Sequence, residues 1–182
     1  MQVAAAGETA IGEPLGLEKA FREHHLRVFR AAYRITGNAQ DAEDVLQTVF
    51  LRLARKGEGA LSAGNVPSYL YRAAINASID LLRARRDRVV VTLEEVDRAS
   101  VRSAETPDRA RESGEIREWL RQALATLSAQ AAEMFALRYI EDHGNKEIAR
   151  MLGVSRATVA VVLHRTRHRL QQEFRHRKGS RP

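Results

Sequence analysis

The chain has 182 residues and carries 30 lysines and arginines against 23 acidic residues, which gives a formal net charge of +7. It contains no cysteine, so disulfide bonds and thiolate metal sites are excluded. No apolar run approaches the roughly 20 residues needed to cross a bilayer, and no membrane insertion is expected. Residues 1–16 lack a basic start followed by an apolar core, so we predict a flexible N-terminal tail without a secretory signal, on a cytoplasmic protein.

Three amphipathic helices are predicted in the first half of the chain. Apolar residues recur at three-, four- and seven-residue steps from Leu17 until Gly37-Asn38 breaks the pattern. A second helix is predicted over Asp41–Arg55 and a third over Ser68–Arg86, where the chain becomes rich in arginine. The glycine- and proline-containing stretch between these two helices predicts a loop.

A linker is predicted over residues 89–113, where the helical period fades and acidic residues, Ser, Thr and Pro107 accumulate. Val89–Val91 could form a short strand, but no partner strand is evident in the sequence. We therefore predict a flexible acidic connection. Helices are predicted to resume over Ile116–Leu127 and Gln130–Ile140.

The segment Asn145–Leu170 predicts a helix-turn-helix, the arrangement that places a second helix in the DNA major groove. Gly153 suits the left-handed position that ends the first helix, and Ser155 is placed as the N-cap of the second. From Arg150 to the end the chain has nine basic residues and one acid, Glu173, as attraction to phosphate requires. An ordinary helical hairpin is the alternative interpretation of the same pattern.

Together these patterns predict an all-α protein in which two small helical domains are joined by a flexible acidic linker. The C-terminal domain contains the helix-turn-helix. The predicted divisions are a tail over 1–16, a first domain over 17–88, the linker over 89–113, a second domain over 114–176 and a basic tail over 177–182.

Three stretches resemble motifs of the extracytoplasmic-function (group IV) sigma factors of bacterial RNA polymerase, in that family's order and spacing. They are YRITGNAQDAEDVLQTVFLRLAR at Tyr33–Arg55, SYLYRAAINASIDLLRARR at Ser68–Arg86, and the region Leu127–Leu170 that ends in the helix-turn-helix. The resemblance implies a subunit that binds core polymerase, directs it to promoters and helps to open DNA. It also implies that the first domain corresponds to sigma region 2 and the second to sigma region 4.

Asp41, Asp44 and Gln47 step by three along one side of the second predicted helix, and we expect an exposed polar stripe there. The resemblance implies that this stripe binds a coiled coil on the largest polymerase subunit. Thr48, at the same surface, stands where the family usually has Glu. Acidic residues also complement the dipole at a helix start, so for Asp41 the two interpretations remain open.

The resemblance further implies that the third helix and the loop before it capture unstacked bases of the −10 promoter element. The spacing places Asn76, Asp80 and Arg83 on roughly one helical side. The arginines are expected to contact phosphates rather than bases. The predicted −10 DNA-binding residues are Asn65, Tyr71, Asn76, Asp80, Arg83 and Arg86.

The second helix of the helix-turn-helix is predicted to read the −35 promoter element from its N-terminal part. After Thr158-Val159 the family usually has polar residues, whereas this chain has Ala160 and Val161. Both are expected to face outward, where they can contact only thymine methyl groups or another protein. The predicted −35 DNA-binding residues are Ser155, Arg156, Thr158, His164, Arg165 and Arg167.

The expected partners are core RNA polymerase, promoter DNA and an anti-sigma factor implied by the resemblance, and the free chain is expected to be monomeric. No cofactor, metal site or catalytic residue is predicted, because His164 and His168 lack a third ligand nearby and no catalytic motif is present. Two alternatives remain open: a stand-alone helix-turn-helix regulator, and a sigma-like adaptor that binds a regulatory protein.

Overall fold

The computed structural model describes residues 16–56, 66–95 and 108–179, with the side chains of 16–56, 66–88 and 113–177. Every regular element within these ranges is helical, so the all-α prediction is confirmed there. None of the described helices is long and apolar enough to span a membrane. The elements are α1 (Gly16–Thr36), α2 (Ala39–Lys56), α3 (Val66–Glu95), α4 (Asp108–Thr126), α5 (Ala129–Phe135), a turn of π-helix (Ala136–Ile140), α6 (Asn145–Leu152) and α7 (Arg156–Gly179).

The N-terminal domain consists of α1, α2 and α3, which pack on one another around an apolar core. The reversal between α1 and α2 is tight because Gly37 takes the left-handed conformation at φ 69°. Asn38 then caps α2, since its side-chain oxygen accepts the backbone N–H of Asp41 at 3.2 Å. The most deeply buried residues of this core include Val28, Ile35, Val45, Val49, Leu53, Leu70, Ile75 and Ile79.

The C-terminal domain contains α4 to α7, and α5 and α6 both pack against α7. Gly153 ends α6 in the left-handed conformation at φ 66°. The Ser155 hydroxyl accepts the backbone N–H of Thr158 at 3.0 Å, so it caps α7. Both sequence predictions for the turn are confirmed. The deepest side chains of this core are Leu124, Met134, Leu137, Ile148 and Val159.

The helix α3 is longer than the sequence pattern indicates. The prediction that it ends at Arg86 is wrong, because the helix continues to Glu95 and includes Val89–Val91, for which a strand was the alternative. A helix satisfies its backbone hydrogen bonds internally, so it can extend beyond its packed section without an apolar period. α4 likewise begins inside the predicted linker, at Asp108. Residues 1–15, 96–107 and 180–182, which hold most of the predicted tails and the middle of the linker, lie outside the described residues.

The two domains contact each other mainly through α3, which packs on α1 and α2 and also on α4 and α5, and α1 adds a smaller contact with the turn of π-helix. The buried apolar residues of both domains form one continuous cluster, and polar side chains of α3 add hydrogen bonds to the C-terminal domain. One helix therefore contributes both to the core of the first domain and to the surface that meets the second.

We expect the same substitution to have opposite effects on stability at two glycines. Gly153→Ala places a methyl group in open space but forces an L-residue into the left-handed region, which lowers the free energy of unfolding by about 1 kcal/mol. Gly114→Ala, at an exposed position within α4 that is also open, raises it by about 0.5–1 kcal/mol. Urea unfolding followed by circular dichroism measures both changes, and a loss of stability at Gly114 would contradict the argument.

Candidate nucleic-acid interface

The predicted stripe on α2 is exposed at Asp44 and Gln47 and partly buried at Thr48. The prediction that Asp41 belongs to the exposed stripe is wrong: its side chain is only 3% exposed and forms an ion pair with Arg85 of α3. Asp41 is spaced by four residues from Val45, and by eight from Val49, both in the core. With 3.6 residues per turn, residues spaced by three are displaced around the helix and do not share one face. Asp41 therefore lies on the packed side, and Asp44 is the first of the three residues to face solvent.

An apolar groove between α1 and α2 continues this surface. Leu51 is 58% exposed and Phe21 44% exposed, and together with Phe50 and Gln47 they line the groove. Phe21 follows the apolar period from which α1 was predicted, a period typical of a buried face, whereas Leu51 was not identified from the sequence. Exposed apolar residues of this size beside polar ones are typical of a protein-binding surface.

Tyr71 of α3 lies under the C-terminal domain and is 5% exposed. Its hydroxyl donates to the carboxylate of Glu141 at 2.5 Å, and the guanidinium of Arg34 binds the same carboxylate oxygen at 2.6 Å. Burial, followed by the hydrogen bond to Glu141, raises the pKa of Tyr71 far above its usual value. The hydroxyl therefore remains protonated and keeps donating to Glu141.

His143 extends this network. Its Nε2 lies 3.2 Å from the Tyr71 hydroxyl and its Nδ1 lies 2.9 Å from Glu147. The two ring nitrogens of His143 thus connect the Tyr71 hydroxyl of α3 with Glu147 of α6. The hydrogen bond to His143 lowers the pKa of Glu147, so Glu147 is anionic.

A second carboxylate of the C-terminal domain contacts α3 one turn further along. Glu133 of α5 accepts a hydrogen bond from the Arg72 guanidinium at 2.8 Å and another from the Asn76 side-chain amide at 3.2 Å. Arg72 also donates to the backbone carbonyl of Met151 at 2.9 Å. Glu133 is 7% exposed, so it is buried against these donors.

The two predicted arginines of α3 donate to carbonyl groups at the C-terminal end of α4. Arg83 binds the carbonyl oxygen of Leu127 at 3.0 Å, and Arg86 binds that of Ala125 at 2.9 Å. Asp80 stays exposed and pairs with Arg83 at 3.1 Å. Of the predicted −10 residues, the structure thus brings Tyr71, Asn76, Arg83 and Arg86 against the C-terminal domain, while Asn65 lies outside the described residues.

Of the six residues predicted to bind the −35 element, five lie on α7 and Ser155 caps its start, and all six are exposed. The buried side of α7 is formed by Val159, Leu163, Thr166 and Leu170. With 3.6 residues per turn, the side directly opposite carries Ala157, Val161, His164 and Arg165. Ala160 and Val161 face outward as predicted, and Val161 is 48% exposed. Between Arg156 and Glu173 the helix has no acidic residue, which suits an anionic partner.

Sequence reasoning did not identify the acceptors Glu133 and Glu141, nor the donors Arg34 and Arg72. The pairs they form join residues 61 positions apart for Arg72–Glu133 and 107 apart for Arg34–Glu141. No local periodicity marks such a pair, although the sequence correctly predicted that a helix covers Ser68–Arg86.

Two families match the chain. Residues 20–88 match Sigma-70 region 2, and residues 117–170 match Sigma-70, region 4. The chain is 31% identical to the RNA polymerase sigma-E factor of Streptomyces avermitilis over 168 residues, covering 92% of the chain and 90% of that protein.

Other known proteins are similar as well. The ECF RNA polymerase sigma factor SigE of Mycolicibacterium smegmatis is 32% identical over 155 residues, which cover 85% of this chain and 60% of that longer protein. The crystal structure of the sigma factor RpoE of Bartonella quintana, in complex with the anti-sigma factor NepR, has a TM-score of 0.49 at 20% identity; the match covers 87% of this chain and 96% of that one. Since both domain families and the nearly full-length relative agree, the chain belongs to the extracytoplasmic-function sigma factors of RNA polymerase.

Proposed function

We propose that the protein binds core RNA polymerase through α2, contacts the −10 element through α3 and reads the −35 element through α7. The single observation that carries this proposal is the outward face of α7: it is exposed along its length, basic, and free of acidic side chains until Glu173. Such a face attracts DNA phosphates and fits the major groove when a helix-turn-helix presents it. Family membership supplies the polymerase as the partner that uses it.

The polymerase surface that we propose differs from the stripe expected from sequence. It consists of Asp44, Gln47 and Thr48, extended by Leu51 and Phe21 of the apolar groove, and it omits Asp41. A coiled coil of the largest polymerase subunit would place polar contacts along the stripe and apolar contacts in the groove. Burial of the apolar residues would then provide affinity, and the polar residues would fix the position of the coiled coil along α2.

The protein acts by binding and has no chemistry of its own in this proposal. Separating a base pair requires a few kcal/mol, which contacts to the exposed bases and phosphates must offset. We assign Tyr71, Asn76 and Asp80 to bases of the −10 element and Arg83 and Arg86 to phosphates. The protein works where the polymerase does, in the cytoplasm, and an anti-sigma factor is a further proposed partner.

Run-off transcription with purified core polymerase and genomic fragments tests this function. We expect promoter-specific transcripts only when the protein is added. Arg165→Ala reduces them about tenfold or more, because Arg165 lies on the outermost side of α7 and a base contact is worth about 1–3 kcal/mol.

Arg177→Ala is the matched control, since Arg177 is also exposed but lies near the end of α7. We expect its effect to stay within about twofold, as for a residue that adds only diffuse charge. Equal losses for the two variants would show that α7 contributes charge without sequence recognition. An absence of transcripts with the unsubstituted protein would overturn the proposed function.

Substitutions of Asp44 and Asp41 on α2 distinguish a residue that binds polymerase from one that stabilises the fold. Asp44→Asn weakens association with core polymerase several-fold and leaves the free energy of unfolding within about 0.5 kcal/mol of the original, because Asp44 is exposed. Asp41→Asn instead lowers the free energy of unfolding by about 1–2 kcal/mol, a value reduced for the exposure of its partner Arg85. Fluorescence anisotropy with core polymerase and urea unfolding measure the two effects. If Asp41→Asn weakened polymerase binding and Asp44→Asn lowered the free energy of unfolding, Asp41 would belong to the binding surface instead.

Val161 is expected to contact thymine methyl groups. Replacing thymine by uracil within the −35 element removes each methyl and weakens holoenzyme binding about fourfold per contacted methyl, the value of one buried methyl group near 0.8 kcal/mol. In the Val161→Ala variant the same replacement has a smaller effect, because the apolar partner is reduced. Uracil placed outside both promoter elements serves as the control. If uracil is tolerated equally in both proteins, Val161 does not face the base edges.

A further inference from the structure

Two neighbouring clefts open beside α1. The first lies between α1, Tyr71 and the residues just after the turn of π-helix, and the second lies between Arg27, the start of α3 and α6. Their volumes are about 490 and 300 Å³, and they share Arg27, Tyr71 and His143. Sites for small molecules commonly measure about 300–1,000 Å³. Neither cleft includes a residue of α2 or α7, so both differ from the proposed polymerase surface and from the −35 surface.

The carboxylates that line the clefts already have cationic or hydrogen-bonding partners. Glu141 binds Arg34 at 2.6 Å, and the same oxygen accepts the Tyr71 hydroxyl. Glu147 lies 2.9 Å from Nδ1 of His143. The third carboxylate, Glu23, is half-exposed and lies 3.8 Å from a ring nitrogen of His24. The negative charge of the clefts is therefore largely matched by these contacts.

Three of the four arginines that line the clefts have no such match. The side chains of Arg27 and Arg30 on α1 and of Arg150 on α6 are exposed, and none forms a hydrogen bond or an ion pair with another described residue. Arg27 is positioned by Tyr71, because its guanidinium carbon lies 4.7 Å from the centre of the phenol ring. A ring provides no oxygen acceptor, so the N–H donors of Arg27 remain available to a ligand.

The arrangement of these arginines suits a ligand with more than one phosphate group. Arg27 and Arg30 are three residues apart, about 4.5 Å along the axis of α1, and they line the first cleft together. Arg27 and Arg150 line the second cleft together. Guanidinium groups bind phosphate oxygens through paired N–H donors. The first turn of α3, which has no acidic residue, also borders the second cleft and adds the positive end of its dipole to the field of the arginines.

We propose that the two clefts form one binding site for a small molecule that carries a chain of two or more phosphate groups. One phosphate binds between Arg27 and Arg30, and another binds between Arg27 and Arg150. A DNA duplex needs an extended surface, such as the outward face of α7, whereas these clefts are walled by α1, α3 and α6. The site goes beyond the proposed function and does not depend on it.

Isothermal titration calorimetry of the full-length protein with sodium pyrophosphate tests the site. We expect one equivalent of pyrophosphate to bind about tenfold more tightly than orthophosphate, because two linked phosphates reach both pairs of arginines. Arg30→Gln and Arg150→Gln each weaken pyrophosphate binding about tenfold or more, the value of one lost charge-assisted contact. Both side chains are exposed, so the fold is expected to be retained, and circular dichroism verifies this.

Arg52→Gln is the matched control, since it removes the same charge from an exposed position on α2, outside both clefts. We expect its effect to stay within about twofold. Equal weakening by all three glutamine variants would overturn the proposal, because it would show attraction to the net charge of the protein. A lack of saturable pyrophosphate binding to the unsubstituted protein would overturn it as well.

Two further titrations identify the source of the phosphate groups. ATP that binds more tightly than pyrophosphate would support a nucleoside polyphosphate, and equal binding would support a site that recognises the phosphate chain alone. A fluorescent single-stranded DNA 12-mer covers the remaining case. If Arg30→Gln and Arg150→Gln weaken its binding while pyrophosphate neither binds nor displaces it, the clefts hold a nucleic-acid backbone and the small-molecule site is wrong. Polymerase is absent from all these titrations, so their failure leaves the proposed function unaffected.

Discussion

The arrangement of the two domains depends on which oxygen acceptors bind the hydrogen-bond donors of α3. This helix contributes Leu70, Ile75 and Ile79 to the core of the first domain, and on its other side it presents Arg72, Asn76 and the arginines near Arg83. Guanidinium groups cannot be deprotonated, and they need oxygen acceptors or water wherever they lie. The C-terminal domain supplies two carboxylates and a helix end. The orientation of the two domains is thus tied to the positions of these acceptors.

The sequence predicted the helices and the details of the helix-turn-helix turn because those features are local. Gly153 in the left-handed region and Ser155 as an N-cap depend on neighbours within four residues, and the structure confirms both. The outward position of Val161 followed equally from helical periodicity. The wrong end of α3 has the opposite cause: beyond Arg86 the sequence loses the apolar period that reveals a packed helix, while the backbone continues to form one.

The candidate site was harder to predict because part of it depends on which segments meet. Asp41 looked like the first member of an exposed stripe, and only the approach of Arg85 from α3 reveals it as a buried ion-pair partner. Glu133 and Glu141 carried no signal at all, since their partners lie far away in the sequence. The residue pattern of one helix shows which of its faces is packed. It does not show which residue of another segment contacts that face, because this depends on tertiary packing.

The contact between the two domains combines apolar packing with directional hydrogen bonds. Contacts between guanidinium groups and carboxylates or carbonyl groups contribute little net free energy, because water replaces them readily on opening. They nevertheless define one relative orientation, since each donor needs its acceptor at hydrogen-bond distance. Apolar packing can therefore supply most of the free energy of the contact, while the polar pairs fix how the two domains are oriented.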